Sequence, residues 1–251
     1  MQIEYKDGVA FARMQLGKAN AMGANFLTGL TQMLDQLQEK PAGCVVLTGY
    51  DRFFSAGLNL LELWEYDRVQ LSQFLTQFNN TFIRLMKLPQ VVIAAINGNA
   101  IAGGAILAQT ADYRIMARGD IRIGVNEIQV GIPFPRQVLE VVKKRLPISS
   151  HFDAIYRGVL FNPEEALKVG FVDEICDAEE LENRAFSLAK EVAAKHWDAL
   201  ACIKRDLLSS RHEKLEMLGR LGDSDFINIW FSEDTRARMG AIVDSLKAKK
   251  K

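Results

Sequence analysis

The amino-acid sequence predicts an α/β fold with a largely parallel sheet, followed by a helical C-terminal region. Strand-like and helix-like patterns alternate as far as about residue 175, which is typical of the α/β class. Two short runs, Cys44–Thr48 and Val91–Ile96, are continuously apolar, as expected of parallel strands that are buried on both faces. From about Glu179 onward the sequence lacks proline and is rich in Ala, Leu, Glu, Lys and Arg, which indicates three or four helices.

The elements of the first hundred residues follow from turn signals and hydrophobic periodicity. Residues 3–5 and 9–16 are predicted to be two strands joined by a tight Asp-Gly turn. Apolar residues at three- and four-residue spacing predict an amphipathic helix over Ala24–Glu39, which ends before a proline. A second helix is predicted over residues 69–86, between the two continuously apolar strands.

The middle of the chain repeats this alternation in shorter elements. The clearest boundary signals belong to a helix with Asn162 as its N-cap, Pro163 in its first turn and Gly170 at its end. The other predicted helices of this part are residues 102–111, 136–145 and 150–157, and the predicted strands are residues 113–117, 121–123 and 171–175.

Composition limits the classes of function. The 251 residues are 49% hydrophobic, and Lys plus Arg equal Asp plus Glu at 31 each. Without a basic excess, a dedicated nucleic-acid-binding protein is not expected. The sequence contains no signal-peptide pattern and no apolar stretch long enough to span a bilayer, so we expect a cytoplasmic protein without a membrane partner. The three cysteines are widely spaced and match no metal-binding pattern, which predicts reduced thiols.

Two short segments carry the chemistry. In the first, FFSAGLNL at residues 53–60, small side chains after a strand let a ligand approach the backbone, although an ordinary turn would also fit. In the second, NGNAIAGGAILA at residues 97–108, a buried strand leads into a glycine-rich helix start. A helix N-terminus presents unpaired N–H donors, and glycine lets an anion reach them. A tight helix–sheet crossing would also need small residues there, whereas the glycine patterns of nucleotide loops are missing.

Together, the two segments resemble the two halves of the oxyanion hole of the crotonase family, the enoyl-CoA hydratases and isomerases. The similarity runs from about Ile3 to Leu246 and includes ADYRI at residues 111–115 and NPEEALKVGFVDEI at residues 162–175. It implies the ClpP/crotonase-like fold, a spiral of repeated ββα units with a C-terminal helical trimerisation region. It also implies a core with the acyl-CoA site in residues 1–190, an oligomerisation region in residues 191–251, and a homotrimer or dimer of trimers.

The resemblance assigns the two oxyanion donors to the backbone N–H groups of Leu58 and Gly103. Both would point at the thioester oxygen of an acyl-CoA as that oxygen gains negative charge. Coenzyme A is then part of the substrate, and no separate cofactor or metal is expected.

Two further positions bear on the reaction, because family hydratases carry a glutamate at each. The position three residues after the oxyanion glycine is Ile106 here, whereas the position in NEIQVG is Glu127. By pattern alone, Glu127 fits a surface or salt-bridged residue, but the resemblance makes it the catalytic acid/base. A lone carboxylate suits proton transfer from C2 to C4 of a 3-enoyl-CoA, which yields the 2-enoyl-CoA. The segments GVNEIQVGI and SAGLNLLEL are most similar to the delta-3, delta-2-enoyl-CoA isomerases of the family.

Other side chains are expected to support the substrate. Asn59 is expected to hold its loop through a side-chain hydrogen bond, and the Asn126 amide is expected to orient the catalytic carboxylate. Lys247 and Lys249 are candidates for a phosphate contact, and Trp64 belongs either to the acyl tunnel or to the core. The predicted substrate-binding residues are Ala56, Gly57, Asn59, Ile106, Asn126, Phe134 and Lys247.

Alternative functions remain open at the level of the sequence. Hydration, thioester hydrolysis and decarboxylation are other crotonase-type reactions on an acyl-CoA. A noncatalytic RNA-binding homologue that uses the basic C-terminal tail belongs to a different class, and the neutral net charge argues against it.

Overall fold

A computed structural model describes residues 1–248, in which nine strands form two sheets. The larger sheet has six strands in the order β1-β2-β3-β5-β7-β9, and only its β1–β2 pair is antiparallel. The predicted largely parallel arrangement is therefore confirmed. The strands of this sheet are β1 Gln2–Lys6, β2 Val9–Arg13, β3 Cys44–Thr48, β5 Val91–Ile96, β7 Tyr113–Ala117 and β9 Glu174–Cys176.

The second sheet is small and parallel, with the order β4-β6-β8. Each of β3, β5 and β7 is followed within a few residues by one strand of the small sheet, so the chain steps between the sheets three times in the same way. This repeat is the predicted spiral of ββα units. Its strands are β4 Phe53–Ser55, β6 Asn99–Ile101 and β8 Ile123–Gly124.

Helices cover both faces of the larger sheet, as strand β3 illustrates. Val45 and Leu47 belong to the main apolar core, whereas Cys44 and Val46 face a second apolar cluster beneath helix α7, Leu181–Ala193. This alternation follows the two-residue period of a strand, and it confirms burial on both faces. The helices are α1 Ala24–Glu39, α2 Leu60–Leu63, α3 Arg68–Met86, α4 Gly103–Thr110, α5 Arg136–Arg145, α6 Pro163–Val169, α7 Leu181–Ala193, α8 Trp197–Leu221, α9 Ser224–Trp230 and α10 Glu233–Ala248.

Four predicted elements differ from the structure. Strand β2 ends at Arg13 rather than at residue 16, because the Leu16 N–H donates to Asn20 Oδ1 and not to a neighbouring strand. Of residues 121–123, only Ile123 pairs, in the two-residue strand β8. In place of the α-helix predicted over residues 150–157, a 3₁₀ turn at Ile148–Ser150 is followed by a π-helical turn at Phe152–Tyr156.

The last predicted strand, residues 171–175, is also displaced. Phe171 packs against Phe161 with a ring distance of 5.5 Å, and its carbonyl accepts from Gln109 Nε2 at 2.8 Å. Its backbone is therefore engaged outside the sheet, and pairing begins only at Glu174. The preceding helix α6 begins as predicted, with a reciprocal capping box between Asn162 and Glu165.

Within residues 1–248, the C-terminal part contains four helices, in agreement with the predicted three or four, and they pack against different parts of the molecule. Helix α7 packs on the larger sheet, so the predicted boundary after residue 190 falls inside an element that belongs to the core. Helix α8 packs on α5, and α10 returns to α2 and to the turn at Glu127–Val130. Among the described helices, none has the length and apolarity that a membrane span requires.

Candidate active site

The loop after β4 is held by the segment before α1. The Ala56 N–H donates to Ala19 O at 3.0 Å, the Met22 N–H donates to Gly57 O at 2.8 Å, and the Asn59 N–H donates to Met22 O at 3.0 Å. Met22 thus pairs in parallel with Leu58, and its hydrogen bonds go to the two neighbours of Leu58, Gly57 and Asn59. In such a pair the central residue points its own N–H to the opposite side. The Leu58 N–H therefore faces away from Met22.

Gly103 is the first residue of α4, a helix whose side chains are all buried. Ala102 precedes it with φ 49° and ψ −119°, a conformation that non-glycine residues rarely adopt and that redirects the chain from β6 into the helix. No side chain caps the helix start. The Gly103 N–H thus lies at an uncapped, positively polarised helix end.

The loop and the helix start touch through their backbones. A Cβ on Gly57 would lie 3.1 Å from the Gly103 nitrogen and 2.7 Å from the Ile101 carbonyl oxygen. A Cβ on Gly104 would lie 2.2 Å from the Ser55 carbonyl oxygen, so glycine is needed on both sides of this contact. Within residues 1–248, neither the Leu58 N–H nor the Gly103 N–H has a backbone acceptor outside the regular elements. The loop that carries the Leu58 N–H and the helix start that carries the Gly103 N–H are therefore in contact, and their role as oxyanion donors stays a prediction.

Glu127 lies in a 3₁₀ turn, Glu127–Val130, and is 6% exposed. Its Oε2 atom is buried without a hydrogen-bond partner, and desolvation raises the pKa of Glu127 from 4.5 to about 8. The turn is closed by the Ile132 N–H, which donates to Glu127 O at 3.2 Å, and by Gly131 in the left-handed region. A carboxyl group of this kind is suited to accept and return a proton near neutral pH.

Asn126 does not orient the carboxylate as predicted. The buried oxygen of Glu127 has no partner, so the Asn126 amide donates no hydrogen bond to it. Asn126 instead caps the turn through its backbone, because its carbonyl accepts from the Gln129 N–H at 2.9 Å.

Ile106 and Phe134 provide apolar surface. Ile106 is 2% exposed and lies three residues after Gly103, close to one helical turn further along α4. Phe134 is partly buried, packs against the same main core, and precedes α5. The position at which family hydratases carry a second glutamate is therefore a hydrocarbon side chain in the core.

Asn59 holds its loop as predicted, through a partner that the sequence did not indicate. Its Nδ2 donates to Glu62 Oε2 at 2.9 Å, while Glu62 Oε1 accepts from the Ala24 N–H at 2.8 Å and from Tyr66 Oη at 2.7 Å. Glu62 thus joins the loop to the start of α1. A carboxylate three residues after an Asn is too common a pattern to have revealed this role.

Two predicted binding groups are engaged elsewhere. The Ala56 N–H is bonded to Ala19, which leaves only its carbonyl for a ligand. Lys247 is exposed and pairs with Glu65, with Nζ 3.3 Å from Oε1. Lys249 lies outside the described residues. Among residues 1–248, no group of three His, Cys, Asp or Glu side chains could hold a metal ion.

Comparisons with known proteins agree with this geometry. Residues 4–245 match the family model for enoyl-CoA hydratase/isomerase. The chain belongs to this family. The mitochondrial enoyl-CoA delta isomerase 1 of Homo sapiens is 33% identical over 211 residues, which cover 82% of this chain and 68% of that protein. The short-chain-enoyl-CoA hydratase of Clostridium acetobutylicum is 25% identical over 248 residues, covering 98% and 95%.

Solved structures show the same two branches. The human mitochondrial delta3-delta2-enoyl-CoA isomerase superposes with a TM-score of 0.92 at 26% identity, covering 100% of this chain and 99% of that one. An enoyl-CoA hydratase from Mycobacterium ulcerans has a TM-score of 0.81 at 31% identity, covering 92% and 99%. The crotonase fold predicted from the sequence is thereby confirmed, and the protein is a crotonase-family enzyme.

Proposed function

We propose that this crotonase-family enzyme moves the double bond of a 3-enoyl-CoA to give the 2-enoyl-CoA. The observation that carries the proposal is a single buried carboxyl, Glu127, without a hydrogen-bond partner on Oε2, combined with the apolar Ile106. The backbone N–H groups of Leu58 and Gly103 form the oxyanion hole. Relatives named as isomerases and relatives named as hydratases both lie between 25% and 33% identity, so the choice of reaction rests on these residues.

The reaction needs one base and one stabilised oxyanion. Glu127 removes a proton from C2, and the electron pair of that C–H bond moves toward the thioester oxygen, which the two N–H groups stabilise. Conjugation spreads the charge to C4. Glu127 then returns the proton to C4, so the C3–C4 double bond becomes a C2–C3 double bond. No water is consumed and no electrons are gained or lost, so the chemistry requires no cofactor beyond the coenzyme A of the substrate.

Hydration is the main rival, because relatives with hydratase names match the chain along most of its length. Concerted hydration needs one group to activate water and another to protonate carbon. Ile106 cannot do either. Thioester hydrolysis would release free coenzyme A, and decarboxylation needs a carboxyl group that an unsubstituted 3-enoyl-CoA lacks, so formation of the 2-enoyl-CoA distinguishes isomerisation from both.

The test compares two substrates. The enzyme is incubated with 3-hexenoyl-CoA and with crotonyl-CoA, and the products are separated by chromatography. We expect 2-hexenoyl-CoA from the first and no comparable hydration of the second. Strong hydration of crotonyl-CoA without isomerisation would refute the proposal. The Glu127→Gln variant should bind coenzyme A thioesters but lose isomerisation, and activity within about tenfold of wild type would mean that another base acts.

We further propose a homotrimer or a dimer of trimers that acts in the cytoplasm on intermediates of unsaturated fatty-acid breakdown. Large apolar side chains support self-association, since Ile148, Phe152 and Tyr156 are 85%, 66% and 73% exposed. Sedimentation of the wild type and of Phe152→Glu measures this. A wild-type monomer at micromolar concentration would contradict the oligomer.

A further inference from the structure

Helix α10 connects the two halves of the active site, which come from distant parts of the chain. One half is the loop at residues 56–59, here called the oxyanion loop because it carries the Leu58 N–H, together with α2; the other is the turn Glu127–Val130. Helix α10 packs against both. Adjacent residues, Thr235 and Arg236, make the two contacts, and successive helix positions point about 100° apart, so they reach different neighbours.

Thr235 contacts the turn that carries the catalytic carboxyl. Its Oγ1 donates to the Gly131 carbonyl at 3.0 Å, and the residue is 2% exposed. Gly131 has φ 78° and ends the turn, while the next residue, Ile132, donates its N–H to Glu127 O. The hydroxyl therefore fixes the end of a four-residue turn whose first residue is Glu127.

Arg236 contacts the segment that follows the oxyanion loop. Its guanidinium lies over the Trp64 ring, 3.4 Å from the centroid, and its two terminal nitrogens lie 3.3 and 3.4 Å from the Trp64 carbonyl oxygen. One turn later, Gly240 has no side chain, and a Cβ there would already touch the ring at 3.4 Å. The Trp64 N–H in turn donates to Leu60 O, so holding Trp64 holds α2 and the loop before it.

We propose that Thr235 and Arg236 are positioning residues that set the placement of Glu127 and of the Leu58 N–H, respectively. Neither touches the reacting atoms, so each acts through the segment that it holds. The spacing between base and oxyanion hole would then depend on α10, although both parts lie more than one hundred residues before it. Displacement of a reacting group by about 1 Å can cost on the order of 100-fold in rate, so modest shifts would be measurable.

Two variants separate the two contacts, and each has a matched control. Thr235→Val removes the hydroxyl, and Arg236→Met keeps an apolar stem but removes the stacked cation. In the controls, Thr76→Val removes a hydroxyl that also donates to a backbone carbonyl, and Arg84→Met removes a surface arginine paired with Asp35. Thr235→Ser and Arg236→Lys are milder variants that keep the test valid if the first pair folds poorly.

Three measurements are made on the full chain. The first is kcat and KM for isomerisation, which rests on the proposed function. The second is exchange of the C2 protons of a saturated acyl-CoA in deuterated water, which needs only the base and the oxyanion hole. The third is the ultraviolet red shift of bound 2,4-hexadienoyl-CoA, whose conjugated carbonyl is polarised by the two N–H donors.

The two contacts should give different signatures. We expect Thr235→Val to slow C2 exchange and kcat about tenfold with KM within about twofold and the red shift intact. Arg236→Met should reduce both the red shift and kcat. Thr235→Ser should have a kcat within about threefold of wild type. Arg236→Lys should have a red shift and a kcat between those of the wild type and of Arg236→Met.

Unchanged exchange, red shift and kcat in variants that only melt earlier would overturn the proposal, because α10 would then be purely structural. If the wild type exchanges C2 protons but does not isomerise 3-hexenoyl-CoA, the proposed function fails while the positioning role is still tested by the other two measurements.

Discussion

Burial of Glu127 should cost the folded protein stability at alkaline pH, and this cost can be measured. Desolvation raises its pKa from 4.5 to about 8. The folded chain therefore holds a proton over a pH range in which the unfolded chain has released it. This loss of folding stability is absent below about pH 4.5, grows between about pH 4.5 and about pH 8, and is complete above about pH 8. At about 1.36 kcal/mol for each pKa unit, it reaches at most about 5 kcal/mol.

The Glu127→Gln variant removes this cost, because an amide of similar shape stays neutral at every pH. Between about pH 5.5 and about pH 9, its stability advantage over the wild type should grow by about 2–3 kcal/mol, after allowance for partial relaxation around the charge. The assay is urea unfolding of both proteins at one protein concentration, since self-association also changes apparent stability.

A matched control is Glu213→Gln, which changes an exposed glutamate on α8 that is solvated in the folded and unfolded chains alike. Its effect should be equal at the two pH values. If the difference between wild type and Glu127→Gln is also equal at both, the carboxyl is not desolvated and the reasoning about its chemistry is wrong.

Three other predictions follow from the site. First, kcat/KM for 3-hexenoyl-CoA should rise with pH to a plateau with a midpoint at about 8, because the base form of Glu127 is required; a flat profile between about pH 6 and about pH 9 would contradict this. Second, Ile106→Glu should permit some hydration of crotonyl-CoA, measured as 3-hydroxybutyryl-CoA, and should lower the melting temperature because it buries a carboxyl group. Third, Gly57→Ala should lower kcat by at least about 100-fold, since its Cβ would crowd the Gly103 nitrogen. Gly17→Ala has a similar positive φ but open space around it, so it should lose stability and keep kcat; equal activity losses in both would mean that backbone strain alone is responsible.

Long elements with strong periodicity could be predicted from the sequence, and short ones could not. The helix Ala24–Glu39 has the predicted bounds, because six buried side chains recur at helical spacing. The strands of the small sheet have only two or three residues each and contain Ser, Asn, Ala and Gly, so they carry no alternation to detect. Their pairing is set by the larger strands that precede them.

The residues of the candidate site also divide into those that the sequence could suggest and those that only the fold reveals. Leu58, Gly103 and Glu127 could be proposed as site residues from the sequence because they lie in short motifs with family-specific spacing. Their supports, such as Glu62 and Arg236, could not, because each acts on a residue that only the fold brings near. The error at Asn126 has the same origin, since adjacency in sequence places its backbone, and not its amide, beside Glu127.

The replacement of a second carboxylate by Ile106 also bears on how Glu127 can work alone. In a site with two neighbouring carboxyls, the charge of one alters the pKa of the other, and the two can divide the roles of acid and base. Here burial is the main cause of the raised pKa of Glu127, with no opposing charge among its causes. At a pKa of about 8, the protonated and ionised forms differ little in free energy near neutral pH. In the proposed isomerisation, Glu127 could therefore take the C2 proton and return it to C4 without a large cost in either direction.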